Sequence, residues 1–184
     1  MTAPQILAVC TGNICRSPAI ERLLVDHVWP YILVSSAGTR AVIGSPISAP
    51  MAQLLESANA RVSGFEARQI TGSMIDEADL ILTATASHRS AVVTMQPTAM
   101  KKTFTLLEFA YSASTVKPAT MDMPLSERIP ALIEHAAHTR PRIRTRGVTI
   151  DIPDPYGHSD EAYHTAFSVI SRAVQQIYPL LTPH

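Results

Sequence analysis

An excess of charge of either sign is what the chain lacks first: Lys+Arg and Asp+Glu balance at 15 each over 184 residues. Without a basic excess there is no electrostatic footprint for nucleic acid or an anionic membrane surface. Long apolar runs are missing as well. The longest near the start, Ile6–Cys10, is too short for a membrane span or a signal-peptide core, so a cytoplasmic protein is expected. Cysteine is scarce, with two residues in all, which excludes a disulfide framework of the secreted kind. Seven histidines are present, but no two stand at zinc spacing beside a cysteine or a suitable carboxylate. Neither a metal nor a cofactor is therefore expected. Disorder is excluded by a hydrophobic content of 46%, and the length suits one domain, residues 1–184.

Short apolar runs alternate with helical patterns. Ile6–Val9 reads as a buried strand, Tyr31–Ser35 as a second, Leu80–Thr83 as a third and Thr103–Leu107 as a fourth. Between them, Ser17 is placed to cap a helix with Pro18 at its first position, and Trp29-Pro30 ends it. Further helices are expected at Met51–Ala60, with Leu54 and Leu55 inward, and at Ser87–Met95. A last helix starts at Ser159-Asp160, where Tyr163, Phe167, Ile170, Val174, Ile177 and Leu181 form one apolar face. This alternation predicts an α/β fold: a doubly wound parallel sheet of about four strands with helices on both faces. The interval 110–150 is the least regular. It reads as an insertion holding one helix, Ser126–His138, and a basic stretch, Arg140, Arg142, Arg144 and Arg146, whose ordinary reading is a solvated face.

Both cysteines fall in one ten-residue stretch, VCTGNICRSP, at the junction of the first strand and first helix. Such a turn can curl its backbone N–H groups inward as an anion nest, and the helix end adds positive potential. Gly12 and Asn13 tolerate the positive φ that a tight nest needs. Five residues on from Cys10, Arg16 supplies a planar fork for two phosphate oxygens. Thr11, Gly12, Asn13, Ile14, Cys15, Arg16 and Ser17 would then surround an anion, and the field would favour Cys10 as thiolate. The implied chemistry is attack by sulfur on bound phosphorus.

The stretch CTGNICRSP resembles the phosphate loop of low-molecular-weight protein tyrosine phosphatases. SSAGT (Ser35–Thr39), ARQI (Ala67–Ile70), ADLILT (Ala78–Thr83) and DPYG (Asp154–Gly157) resemble that family's further segments, in the same order. The long interval between Leu107 and Asp154 resembles that of longer, actinobacterial phosphatase-like chains. The resemblance implies a flavodoxin-like fold and protein-tyrosine-phosphatase activity through a cysteinyl-phosphate. Cys10 would be the nucleophile and Arg16 the oxyanion clamp. Ser17 would stabilise the thiolate, Asn13 would hold the loop together with Ser36, and Asp154 would be the general acid. Pro153 and Pro155 stiffen the acid loop, which Asp151 and Asp160 lack. Tyr156 is a candidate slot wall. Cys15 is either a small buried residue or the redox partner of Cys10. The expected partner is a phosphotyrosine-containing protein or a small phosphate monoester.

Three positions depart from the family pattern. An aromatic residue that follows SAGT in many members is missing from RAVIGSP. Phe65 stands where many carry histidine, and Ala84-Thr85 replaces Met-Asp. Two rival functions share the motif. One is arsenate reduction, which lacks further relay cysteines here; the other is a non-catalytic phosphotyrosine- or phosphate-binding module, which would need neither thiol nor acid.

Overall fold

The computed structural model describes residues 3–117, 120 and 122–182. Four parallel strands, β1 (Gln5–Cys10), β2 (Leu33–Gly38), β3 (Leu80–Thr83) and β4 (Thr103–Thr105), form one sheet in the order β2-β1-β3-β4. The chain therefore winds one way from β1 to β2 and the other way from β3 onward. The crevice where the order reverses lies outside the carboxyl ends of β1 and β3, the usual ligand position of such sheets. The fold is flavodoxin-like.

Helices α1 (Arg16–Val28), α2 (Ala49–Ser57), α3 (Gly72–Glu77), α4 (Ala86–Met95), α5 (Leu106–Ala113), α6 (Leu125–Thr145) and α7 (Asp160–Ile177) cover the sheet. The two faces of β1 explain the layering. Ile6 and Ala8 belong to a large apolar cluster with residues of α1, α5 and α7, while Leu7 and Val9 join a smaller one with Ile75 of α3 and Val92 of α4. A strand apolar at every position, rather than at alternate ones, is what burial on both faces requires.

Several boundaries differ from the sequence reading. Ser17 does not cap α1; Cys15 occupies the cap position without a side-chain cap bond, and the Ser17 hydroxyl is engaged by Cys10 and Asn13. The second strand starts later and runs to Gly38, because Tyr31 and Ile32 both donate to the Val28 carbonyl and complete a turn. Helix α2 begins at Ala49, with Pro50 in its first turn, and Leu54 is only half-buried. The fourth strand stops at Thr105, where a capping box with Glu108 starts α5. Helix α3, capped by Thr71, has too few residues to show periodicity in sequence.

The interval 110–150 holds more helix than expected. Helix α6 passes through both Pro130 and Pro141 instead of ending at His138. Tertiary anchors outweigh the proline penalty: Ile143 is buried, and Arg140 donates to the Thr103 carbonyl while stacking 4.4 Å from the Phe104 ring centre. The basic stretch is accordingly not a uniform solvated face. Arg140 also stands 3.7 Å from the buried Glu108, Arg146 donates to the Tyr111 hydroxyl, and Arg142 is exposed. The Arg144 side chain lies outside the described residues.

Candidate active site

The loop from Cys10 to Arg16 closes at the carboxyl end of β1. Its carbonyls are turned away from its centre: those of Cys10, Thr11, Gly12 and Ile14 accept N–H bonds from Thr39, Arg40, Val42 and Ser48. The N–H groups of Thr11, Gly12, Asn13, Ile14 and Cys15 donate to no acceptor among the described residues. Asn13 supplies the left-handed turn, with φ of 55°. This is the geometry of an anion nest.

Asn13 is fully buried and all three of its polar contacts brace the ring. Its Nδ2 donates to Ser17 Oγ (2.9 Å) and Ser36 Oγ (2.8 Å), and its Oδ1 accepts from the Arg68 backbone N–H (2.9 Å). Ser36 passes its own proton to Glu21, and Arg68 Nε ties to the Ser36 carbonyl. Gly38 permits the closeness of β2 to the loop: a Cβ there would stand 2.4 Å from the Thr11 carbonyl oxygen.

Cys10 Sγ lies 2.9 Å from Ser17 Oγ, at the floor of a cavity of about 370 Å³. Thr11, Gly12, Ile14, Cys15, Arg16, Arg40, Val42, Asp154 and Tyr156 line the same cavity. Arg16 is 5% exposed; one Nη donates to the Ile152 carbonyl (3.3 Å) and the other to Asp154 Oδ2 (2.6 Å). Its Nε is buried and has no partner among the described residues. Asp154, with a side chain 51% exposed, is held from below by the Tyr156 N–H on Oδ1. Asp151 instead accepts from the Ala86 N–H at the start of α4, and Asp160 lies in the first turn of α7.

Cys15 is buried beside the site but faces elsewhere, with Sγ 3.1 Å from Ser48 Oγ and 3.9 Å from Tyr163 Oη. Burial pushes its thiol up, and the nearby charges of Cys10 and Asp154 add to that, against the two hydroxyl contacts. Cys15 is thereby kept as thiol while the nest surrounds Cys10.

Glu21 and His88 carried no signal in the sequence, and Arg68 entered only as part of the ARQI segment. Arg68 and Glu21 brace the loop from distant segments, and His88 bonds Thr11 from α4. Phe65, where many family members have histidine, packs under Arg22 at 5.4 Å from its ring centre. The rim has no aromatic after SAGT and mixes exposed Arg40 with Val42, 47% exposed, and Tyr156, 61% exposed. Among the described residues no helix is long and apolar enough to cross a membrane.

The sequence profile of the low molecular weight phosphotyrosine protein phosphatases matches residues 5–141. The chain is 31% identical over 172 residues to the low molecular weight protein-tyrosine-phosphatase Etp of Escherichia coli K12, covering 94% of this chain and 90% of that protein. It is similar in structure to Vibrio vulnificus Wzb in complex with benzylphosphonate, at a TM-score of 0.70 and 28% identity, over 96% of this chain and 98% of that one. It is also similar to the YwlE arginine phosphatase from Geobacillus stearothermophilus, at a TM-score of 0.71 and 27% identity, over 95% and 90%.

Proposed function

The chain belongs to the low molecular weight protein tyrosine phosphatase family, and we propose that it hydrolyses phosphate monoesters, foremost phosphotyrosine in proteins, through a cysteinyl-phosphate on Cys10. The carrying observation is the set of unpartnered donors around the Cys10 sulfur: the N–H groups of Thr11 to Cys15 and the buried Arg16 Nε. The buried Arg16 Nε is costly without an acceptor, and an oxyanion is the ligand that satisfies it together with the loop N–H groups.

In this reading the dianionic phosphoryl group enters the nest and takes the Arg16 fork, displacing Asp154 from its ion pair, and the freed carboxylate takes up a proton from solvent. The Cys10 thiolate, stabilised by the Ser17 hydroxyl, attacks phosphorus in line. The P–O bond to the leaving group breaks, and Asp154 gives its proton to the departing phenolate, a group with a pKa near ~10 that leaves poorly as an anion. Asp154, now a carboxylate, then takes a proton from water as that water attacks the thiophosphate. Inorganic phosphate leaves and the thiolate is restored. Every group required belongs to the chain, so the reaction is metal-independent. Asn13 and Ser36 hold the ring for transition-state charge. Ile14, Val42 and Tyr156 give the slot an apolar wall that suits an aromatic ring. In the same reading residues 1–184 act as one domain in the cytoplasm, with 110–150 an insertion whose Ile129, Leu132 and Ala136 pack into the domain's core.

The test is turnover of p-nitrophenyl phosphate with chelator present, followed by phosphotyrosine, phosphoserine and phosphoarginine peptides. Hydrolysis with trapping of phosphate on Cys10, and preference for phosphotyrosine, supports the reading. Preference for phosphoarginine would overturn the substrate. Phosphate binding without turnover would make the site a binding module, and arsenate-dependent thiol consumption would move it to arsenate reduction.

A further inference from the structure

His88 of α4 is 6% exposed, and both of its ring nitrogens are used. Nε2 lies 2.8 Å from Thr11 Oγ1 in the phosphate loop, and Nδ1 lies 2.7 Å from Thr85 Oγ1. Thr85 Oγ1 also accepts the His88 backbone N–H at 3.3 Å, and Ser87 Oγ stands 3.0 Å from it. Thr11 is held on its other side too, because its carbonyl accepts from the Arg40 N–H. Its hydroxyl has His88 as its one hydrogen-bond partner among the described residues, and Thr11 lines the cavity over Cys10.

A neutral imidazole carries one ring proton, so the chain Thr85–His88–Thr11 has two possible polarities. Thr85 Oγ1 receives the His88 N–H and can receive the Ser87 hydroxyl, which fills its two lone pairs and directs its own proton to Nδ1. The ring proton is then on Nε2 and is donated to Thr11 Oγ1. With one lone pair occupied in this way, the Thr11 hydroxyl has its proton free for a group in the cavity. The opposite polarity would turn a Thr11 lone pair toward an anion, so anion binding selects the same tautomer.

We infer that His88 is a positioning residue that sets the Thr11 hydroxyl as a hydrogen-bond donor to the phosphoryl group. The inference rests on the phosphatase reading. The tautomer argument applies to the neutral ring, on which the charges of Arg16, Asp154 and Asp151 act. Burial, with the Arg16 charge, holds the imidazole down at about 4, against the opposing pull of the two aspartates.

The experiment compares Thr11→Val, His88→Ala, His88→Gln and the double variant Thr11→Val/His88→Ala on p-nitrophenyl phosphate. Hydrolysis by the wild type establishes the phosphatase reading independently of the variants. Thr11→Val and His88→Ala are each expected to lower kcat/KM by about tenfold, with the double variant no worse than Thr11→Val alone, because both remove one donor. His88→Gln, whose amide can donate to Thr11, should recover most of the loss even if His88→Ala folds poorly. Near-wild-type kcat/KM in Thr11→Val would overturn the inference. So would a further tenfold loss from His88→Ala in the Thr11→Val background, or a His88→Gln variant that folds normally yet is as slow as Thr11→Val.

Discussion

Arg16 Nη2 and Asp154 Oδ2, 138 positions apart in the chain, meet at 2.6 Å across the mouth of the cavity. The pair joins the phosphate loop to the proline-flanked acid loop, and a bound phosphate competes with Asp154 for the same guanidinium. In the proposed reaction, opening the site and freeing Asp154 are thus one event. Asp154→Asn keeps the size and the Tyr156 contact but carries no proton to the leaving group. Its turnover should fall by about 10²–10⁴-fold on aryl phosphates with poor leaving groups, and far less on activated ones. Steady-state kinetics over a leaving-group series decides this; an equal loss throughout would reduce Asp154 to a structural partner of Arg16.

Cys10→Ser should abolish turnover while preserving phosphate binding, since the unpartnered loop donors do not depend on sulfur. Calorimetric titration with phosphate alongside the turnover assay separates the two. Arg16→Lys should fail as well, because an ammonium cannot reproduce the fork that holds Ile152 and Asp154 and that the anion takes over from Asp154.

Gly38→Ala tests the packing of β2 on the loop. The added methyl meets the Thr11 carbonyl oxygen at 2.4 Å and the Asn13 nitrogen at 3.0 Å, both backbone atoms of the nest. A stability loss of about 1–3 kcal/mol is expected, with weakened phosphate affinity. Urea denaturation and phosphate titration measure the two effects, and unchanged affinity would mean that the ring tolerates displacement.

The His88 imidazole sits at about 4 in the folded chain against an ordinary 6.5. Between these values the unfolded chain binds the extra proton and the folded chain does not, so stability rises with pH through this window. It is fully present above about 6.5 and lost as pH falls toward about 4, by on the order of 3 kcal/mol in total. Chemical denaturation of the wild type and His88→Gln between pH 4 and pH 7 checks the sign. The wild type should gain on the variant as pH rises, and parallel curves would remove His88 as the source.

Cys15 is buried against the Ser48 and Tyr163 hydroxyls and belongs to the same loop as Cys10. With peroxide as oxidant, the two thiols lose their protons and two electrons to form a Cys10–Cys15 disulfide and water. Alkylation and peptide mapping after oxidation should recover that bond, with activity restored by reductant. Sulfonic acid at Cys10 and no disulfide would leave Cys15 a packing residue.

Cys10 and Arg16 could be grouped from the sequence because they sit within one loop, where spacing fixes which groups meet. Asp154 was singled out by the DPYG resemblance, with Pro153 and Pro155 marking a stiffened loop around it. Apolar runs likewise located the four strands, while α3 and α5 escaped the sequence reading. Only the tertiary structure decided which distant groups brace that loop. Thr11 meets His88 across 77 positions, and Asn13 meets the Arg68 N–H across 55. No local pattern encodes such pairs: the first depends on the strand order that places β3, with α4 after it, beside β1, and the second on the bridge that lays the Arg68–Gln69 backbone against Gly38 at the end of β2. The same holds for Ser17, which reads locally as a helix cap but is engaged by the Cys10 sulfur once the loop closes. It holds also for Arg140, which reads as a solvated charge but is drawn in by Glu108, the Thr103 carbonyl and the Phe104 ring. Local propensity set the elements, and long-range hydrogen bonds to buried groups, costly to leave unmade, set their ends and the shape of the site.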